Sequence, residues 1–499
     1  MRVSRRRLTR FWTTSKLFFA ASQLAAFEVL RPLGLRHIHS FHDSLMPNKT
    51  TNFLPRVFSA VLYLSLVVLS PVMSQAQAAA EPEREKLLNG LRILYWSQPG
   101  NPDVLLRLRI HSGAAFDLAD KGGMMALLGD ALFPDASTRE YVAEELGGRL
   151  EVTTNYDTID VTISGKAANL ERMADLLRGA LITTQLGAEN VATVKDARLK
   201  SYTGQSGSAS GTADRAISAR LFGSFPYAHP ASGTAASVSK VERADLMLAR
   251  ERFLNSNNAT IAIVGGVEKS RMMRVLRQLL GPWGKSDKTI PSTCRQPSAP
   301  NPQVLILDTP EGSTAEIRLA VRGLGRGDTD ALPAELLALI ARNRWQAAMP
   351  ELSNVAVRHE AHLLPGMFVF SATAPQASAA KAISAAQDVM RKLSQGAPTA
   401  GEFDQARTMV AARLSQQLSG PAGLAEAWLD VDTFKSPPPS TVSTLIGSYT
   451  PADVQRVATR LFKDAAAATI VVGNSEQLKA QFPSNIETHT NPASPAAKP

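Results

Sequence analysis

A stretch near the middle of the chain returns near its end. Residues 241–266 read VERADLMLARERFLNSNNATIAIVGG, and residues 449–474 read YTPADVQRVATRLFKDAAAATIVVGN. Ala244 and Asp245 match Ala452 and Asp453, and Arg252 matches Arg460, all 208 positions later. Gly265 matches Gly473 at the same offset, after a one-residue slip between them. Each copy has the pattern of a helix, then a short β-branched strand, then a glycine. One offset held across a helix and a strand points to duplicated domains of about 200 residues. The length of 499 residues agrees, because a chain of that size divides into more than one core.

The division falls at a proline-rich stretch, PWGKSDKTIPSTCRQPSAPNP at residues 282–302, which reads as a linker between a domain at 81–281 and a second at 303–483. Within the first half, residues 91–97 and 104–113 alternate as strands do, and 149–165 read as a hairpin. Residues 122–133 and 170–182 read as helices, the second amphipathic. Strands joined by short turns, with long helices between sheet segments, predict an α+β fold in which each domain is a mostly antiparallel sheet packed with helices. The final stretch, 484–499, is rich in Pro, Ala, Asn and Thr and is expected to be a disordered tail.

The formal charge of +10 suggests a nucleic-acid partner only until it is located. Residues 1–80 hold ten Lys or Arg against Glu28 and Asp43, a net of +8, which leaves +2 for everything after them. A body so close to neutral lacks the basic surface that phosphate binding needs, so no nucleic-acid partner is expected. The N-terminal segment, 1–80, reads instead as a leader. Lys49 and Arg56 form a basic start, residues 57–73 an apolar run broken by Pro71, and residues 74–80 a small-residue cleavage region. A leader beginning at Met46 has ordinary proportions, so Met46 is a candidate true start. The alternative is an uncleaved membrane anchor, although the apolar run is short for a spanning helix. Periplasmic export follows from the cleaved reading. The single cysteine, Cys294, allows no intramolecular disulfide and has no histidine near it in sequence.

Three segments, in this order and spacing, carry a family resemblance: LLNGLRILYWSQPGNPDVLLRLRIHSGAAFD at 87–117, YAHPASGTAASVSKVERADL at 227–246, and ATIAIVGGV at 259–267. They resemble the inverzincin metallopeptidases, the family of insulinase, pitrilysin and the mitochondrial processing peptidase. That resemblance implies a two-domain half-shell and a helix carrying H-x-x-E-H. Its two histidines would hold Zn²⁺ on one helical face while the glutamate acts on the metal-bound water. Here, aligned on Leu132 and Phe133, the first histidine position holds Ala126, the glutamate position Gly129 and the second histidine position Asp130. The distal glutamate ligand is expected within residues 197–211, which contain no glutamate. In the second domain, the positions that the family gives to an oxyanion-binding Arg and Tyr fall on Pro350 and Val357, with Arg358 as a neighbouring substitute. His359 and His362 flank Glu360, but a spacing of three on a strand places them on opposite faces. His111 is expected on a strand and His229 in a turn.

The residues therefore predict no catalytic or metal site of this chain's own and no cofactor, with zinc expected only in a partner. The resemblance implies a non-catalytic subunit that pairs as a heterodimer with a zinc-bearing homologous peptidase chain and encloses a peptide substrate. A stand-alone periplasmic peptide-binding or assembly protein is the alternative. An active zinc metalloendopeptidase is a further one, set against Ala126, Gly129 and Asp130.

Overall fold

The structure is a computed structural model that describes residues 81–183, 186–203, 208–288, 290, 294–309, 312–482 and 486–490. The leader, its cleavage region and the Met46 start lie outside the described residues. Two six-stranded sheets form the frame. The first contains β1 (Glu83–Lys86), β2 (Arg92–Ser97), β3 (Asp103–Ile110), β4 (Arg149–Thr154), β5 (Ile159–Lys166) and β6 (Ala259–Gly265), in the order β1-β2-β6-β3-β5-β4. The second contains β7 (Val304–Asp308), β8 (Thr314–Arg322), β9 (Ser353–Glu360), β10 (Met367–Pro375), β11 (Ala468–Gly473) and β12 (Ile486–Thr490), in the order β12-β7-β11-β8-β10-β9.

The inner five strands of the two sheets follow one plan. In each, the last strand of the half inserts between its first two, lying parallel to the first and antiparallel to the second. In each, a hairpin then completes the far edge: β4–β5 in one, β9–β10 in the other. The repeated sequence at 241–266 and 449–474 is thus a helix, Arg243–Phe253 or Pro451–Phe462, that delivers β6 or β11 into its sheet. The sheets are α+β and mixed, mostly antiparallel, as the alternation and short turns predict.

The sixth strands differ. β1 comes from the start of the described chain and pairs antiparallel with β2, whereas β12 comes from its end and pairs parallel with β7. The expectation of a structureless tail from residue 484 is therefore corrected for residues 486–490. The free edge of β7 accepts them, and Arg220 holds Glu487 at 2.5 Å while donating to the Gln303 carbonyl. The proline-rich stretch is not a loose tether at its start either. Trp283 is buried in the first core and donates its indole N–H to the Leu254 carbonyl.

Alternation accounts for the inner cores. Ile93, Tyr95, Leu106, Leu108, Ile110, Ile261 and Ile263 face the helices of the first half. Ile317, Leu319, Val321, Phe368 and Phe370 face those of the second. The intervening residues of β2 and β6 should then be polar, yet Leu94, Trp96, Ala262 and Val264 are buried too. What covers them is the helix Pro421–Phe434 of the other half, through Ala425, Trp428 and Leu429. The exchange is reciprocal. The first half's helix Ala209–Phe222 lays Ala213, Ile217 and Leu221 on Ala320, Val369, Ile470 and Val472 of the second sheet. Both helices present their apolar residues at spacings of three or four, the stripe that a single helical face provides.

Each exchanged helix also brings an acid to an arginine rising from the covered sheet. On the first sheet, Arg109 is 2% exposed and lies between Asp160 of β5, at 2.7 Å, and Asp430 of the incoming helix, at 2.6 Å. On the second, Arg318 meets Asp214 at 2.6 Å. A charge buried so deeply is tolerable only with partners, and Asp430 is in turn held by Arg326 at 2.6 Å. Replacing Arg109 by alanine removes the most deeply buried cation from between two buried carboxylates, leaving Asp160 with Arg107 at 3.6 Å and Asp430 with Arg326. Chemical denaturation should show a loss of about 3–5 kcal/mol, whereas removing the exposed Arg391 should leave the unfolding midpoint unchanged.

Candidate functional site

The segment aligned with the zinc-binding helix is the short helix Met124–Asp130. The residues around it, at 122–123 and 131–133, form turns rather than extending the helix. Gly123 precedes it at φ +89°, where a Cβ would lie 2.6 Å from the Ser232 carbonyl oxygen, so the loop before residue 234 closes directly on the helix start. Asp117 orders the first turn by accepting from the backbone N–H groups of Gly123 (2.6 Å) and Met125 (2.8 Å). Burial pushes its carboxyl up to about 7 despite those two donors.

Ala126 is buried at 3% exposure. Gly129 packs against β4, and the Thr154 hydroxyl occupies the space where a side chain would begin, 2.8 Å from an added Cβ. Asp130 has the only metal-binding group of the three, and it is already engaged. Arg198, from the helix Ala188–Thr203, reaches across and pairs with it at 2.6 Å. The same guanidinium lies 3.4 Å from the carbonyls of Ala126 and Ser232. Burial outweighs the pull of Arg198, leaving the Asp130 carboxyl above its ordinary range.

Residues 197–211, where the distal ligand is expected, therefore contribute a cation, and the carboxylate facing it is neutralised by the chain itself. A zinc centre needs three protein ligands with an open fourth position. One carboxylate bound to a guanidinium does not fit that requirement. No group of three or more His, Cys, Asp or Glu side chains suited to a metal occurs among the described residues.

Pro350 lies in the exposed turn after the helix Ala331–Ala348, and Val357 on β9 points into the second core. Neither can donate a hydrogen bond from its side chain to an oxyanion. Arg358 is exposed and pairs with Glu360 on the same strand at 3.1 Å.

The histidines serve the body of the fold. His359 accepts from the Leu324 N–H at 3.0 Å, and burial lowers its pKa to about 4. His362 lies beyond the end of β9 and packs against Tyr156 and Tyr227, with ring centroids 4.9 and 4.6 Å away. His111 follows β3, within reach of Arg92 at 2.8 Å and Thr260 at 2.9 Å. His229 belongs to the turn before Pro230, as its sequence context suggests. Cys294 is exposed.

Two features escaped the reading of the sequence. Arg198 looked like any helical arginine, because its partner is 68 residues away. Asp157, which joins the halves by accepting from Tyr227 (3.2 Å) and the Leu363 N–H (3.0 Å), sat unremarked in a hairpin turn. Burial pushes its carboxyl up to about 6. Arg109 and Arg318 did carry a signal: each is a charged residue flanked on both sides by large apolar ones in its strand.

Comparison with known proteins now adds to this geometry. Residues 240–410 match the family described as Peptidase M16 inactive domain. Over those residues the chain is similar to the inactive domain of these insulinase-type peptidases. An uncharacterized zinc protease of Mycobacterium bovis is 23% identical over 209 residues, 41% of this chain and 48% of that protein. The chain thus spans about half the length of the curated relatives it matches. The fold is shared with the peptidase M16 inactive domain from Pseudomonas fluorescens, at TM-score 0.71 and 19% identity over 79% of this chain and 98% of that one. It is also shared with a chain of Complex III2 from Candida albicans, at TM-score 0.68 and 14% identity over 81% and 97%.

The short helix Met124–Asp130 is held by the Arg198–Asp130 pair, whose removal is measurable. Arg198→Ala leaves a part-buried carboxylate unpaired and should cost about 1–3 kcal/mol in denaturant unfolding. The double variant lacking Asp130 as well should recover part of that loss. Equal losses in both would show that the pair contributes only packing.

Proposed function

We propose that this chain is the non-catalytic partner of a zinc-bearing M16 peptidase, enclosing and positioning a peptide whose bond is cut by the other chain. The observation that carries the proposal is the guanidinium of Arg198 on Asp130. The motif region is closed by an internal ion pair while the duplicated M16 frame around it is kept. The match to an inactive domain and the fold shared with a subunit of a multi-chain complex support the same reading.

The physical case is a division of labour. A zinc-bearing chain supplies the metal and the general base, but a flexible peptide loses activity to conformational freedom and to water. A second M16 body facing it restricts the peptide and excludes solvent, which lowers the entropic part of the barrier. With Pro350 and Val357 at the second-domain positions, the contribution of this chain is enclosure rather than oxyanion stabilisation.

The test mixes the purified chain with the zinc-bearing homologue from its own genome. The chain alone should hold less than stoichiometric zinc and cleave no peptide, and the mixture should form a sized complex with higher activity than the homologue alone. A zinc bound one-to-one by the isolated chain, or no complex with any such homologue, sinks the reading. The second outcome would favour a stand-alone binding or assembly protein.

We further propose periplasmic export with cleavage between Ala76 and Glu81, on the basic, apolar and small-residue segments of the leader. N-terminal sequencing of the protein from its native cell should begin in that window. Recovery of the intact 57–73 segment in the membrane fraction would mean an anchor instead.

A further inference from the structure

The repeated helix is seated differently in the two halves. In the second half, the helix Pro451–Phe462 packs directly on the helix Ala379–Gln395. Ala458 is buried in that core, and the Thr459 hydroxyl donates to the Ser394 carbonyl at 2.9 Å. In the first half, the counterparts are the helix Arg243–Phe253 and the helix Leu170–Arg178, which runs on into a π-type turn, Gly179–Thr183. At the 208-residue offset, Ala458 corresponds to Arg250 and Pro451 to Arg243. These two arginines reach across: Arg250 donates to the Leu181 carbonyl at 3.0 Å, and Arg243 to the Leu186 carbonyl. A helix end leaves carbonyls without intrahelical partners. A long guanidinium arm caps them from a distance that a threonine hydroxyl does not span.

Between the arms lies a pocket of about 630 Å³, a size suited to a small molecule. Its buried apolar lining is Leu181, Leu186, Leu254 and Trp283, and its exposed apolar lining is Met247 and Leu248. Arg243, Met247, Arg250 and Leu254 follow at spacings of four, three and four, so one helical stripe alternates cation and apolar group. The single carboxylate among the described lining residues, Glu251, is paired with Lys288 at 3.0 Å. Arg243 forms no ion pair among the described residues, and its five N–H groups exceed the one carbonyl it caps. Burial lowers the pKa of Arg250, a cost that a nearby anion reduces.

The charge and the apolar lining together define the occupant. The walls are mainly helical, and helices consume their own backbone groups, so a peptide laid here would leave its amides unmatched. An alkyl chain carries no such groups, and a carboxylate matches the fork of a guanidinium. We propose that this pocket binds an aliphatic carboxylate, with its alkyl chain between Met247 and Trp283 and its carboxylate on Arg243. The site goes beyond the peptide-enclosing role proposed above, and the second half has no counterpart to it where Ala458 and Thr459 close the same helix pair.

Isothermal titration of the purified protein with decanoate, kept below its micelle concentration, tests this with no peptidase partner present. Decanoate should bind one-to-one, and each methylene added up to dodecanoate should tighten binding about two- to fourfold. Decan-1-ol, which keeps the chain and loses the charge, should bind at least about fivefold more weakly, and so should decanoate to Arg243→Gln. Met247→Glu, at an exposed position, should weaken decanoate at least about tenfold and leave the melting temperature unchanged. No saturable binding, or binding that either variant leaves undiminished, overturns the proposal. So does equal affinity for decan-1-ol, which would mean an apolar pocket without a head site. Equal affinity for acetyl-trileucine would overturn it as well, in favour of a peptide C-terminus.

Discussion

The exchange of one helix between the two halves is the contact on which the rest of this structure depends. A sheet with two apolar faces needs two covers, and each half supplies only one of its own. Helix Pro421–Phe434 covers the outer face of the first sheet, and helix Ala209–Phe222 that of the second. Arg109 and Arg318, buried beneath those helices, help fix which helix goes where, because each pairs with an acid of the other half as well as one of its own. Burial of the apolar stripes supplies the driving force, and the desolvated charges supply the register. The halves are domains by duplication, but their packing makes them one unit.

That unity gives the motif region its present form. In a zinc-binding arrangement two helices face each other across a metal, and the metal's charge balances the ligands. Here the same meeting of helices, Met124–Asp130 against Ala188–Thr203, is held by Asp130 and Arg198 at 2.6 Å. A guanidinium is a fixed cation that donates to a carboxylate and to backbone carbonyls together, so it joins the helices without offering a reactive site.

The second half differs at its edge. Its edge strand β9 ends the sheet opposite β12, so pairing consumes one edge and leaves the other beside an aliphatic groove. In the first half the corresponding edge, β4, is packed by the motif helix, through the contact between Gly129 and Thr154. Two copies of one plan thus present unlike edges, and the difference arises from the helices placed next to them.

Much of this was legible in the residues. The offset between Asp245 and Asp453, repeated from Gly265 to Gly473, announced two copies of one fold, because helix and strand periods are local and survive duplication. The absence of H-x-x-E-H was legible for the same reason: it is a local pattern, and Ala126, Gly129 and Asp130 do not satisfy it. Long-range pairing is different, since spacing along the chain does not record which distant residue a side chain will meet. Only the tertiary structure placed Arg198 on Asp130, exchanged the helices, and drew residues 486–490 onto the open edge of β7. A backbone edge left unpaired accepts whatever strand can reach it, and composition alone could not say that the tail would.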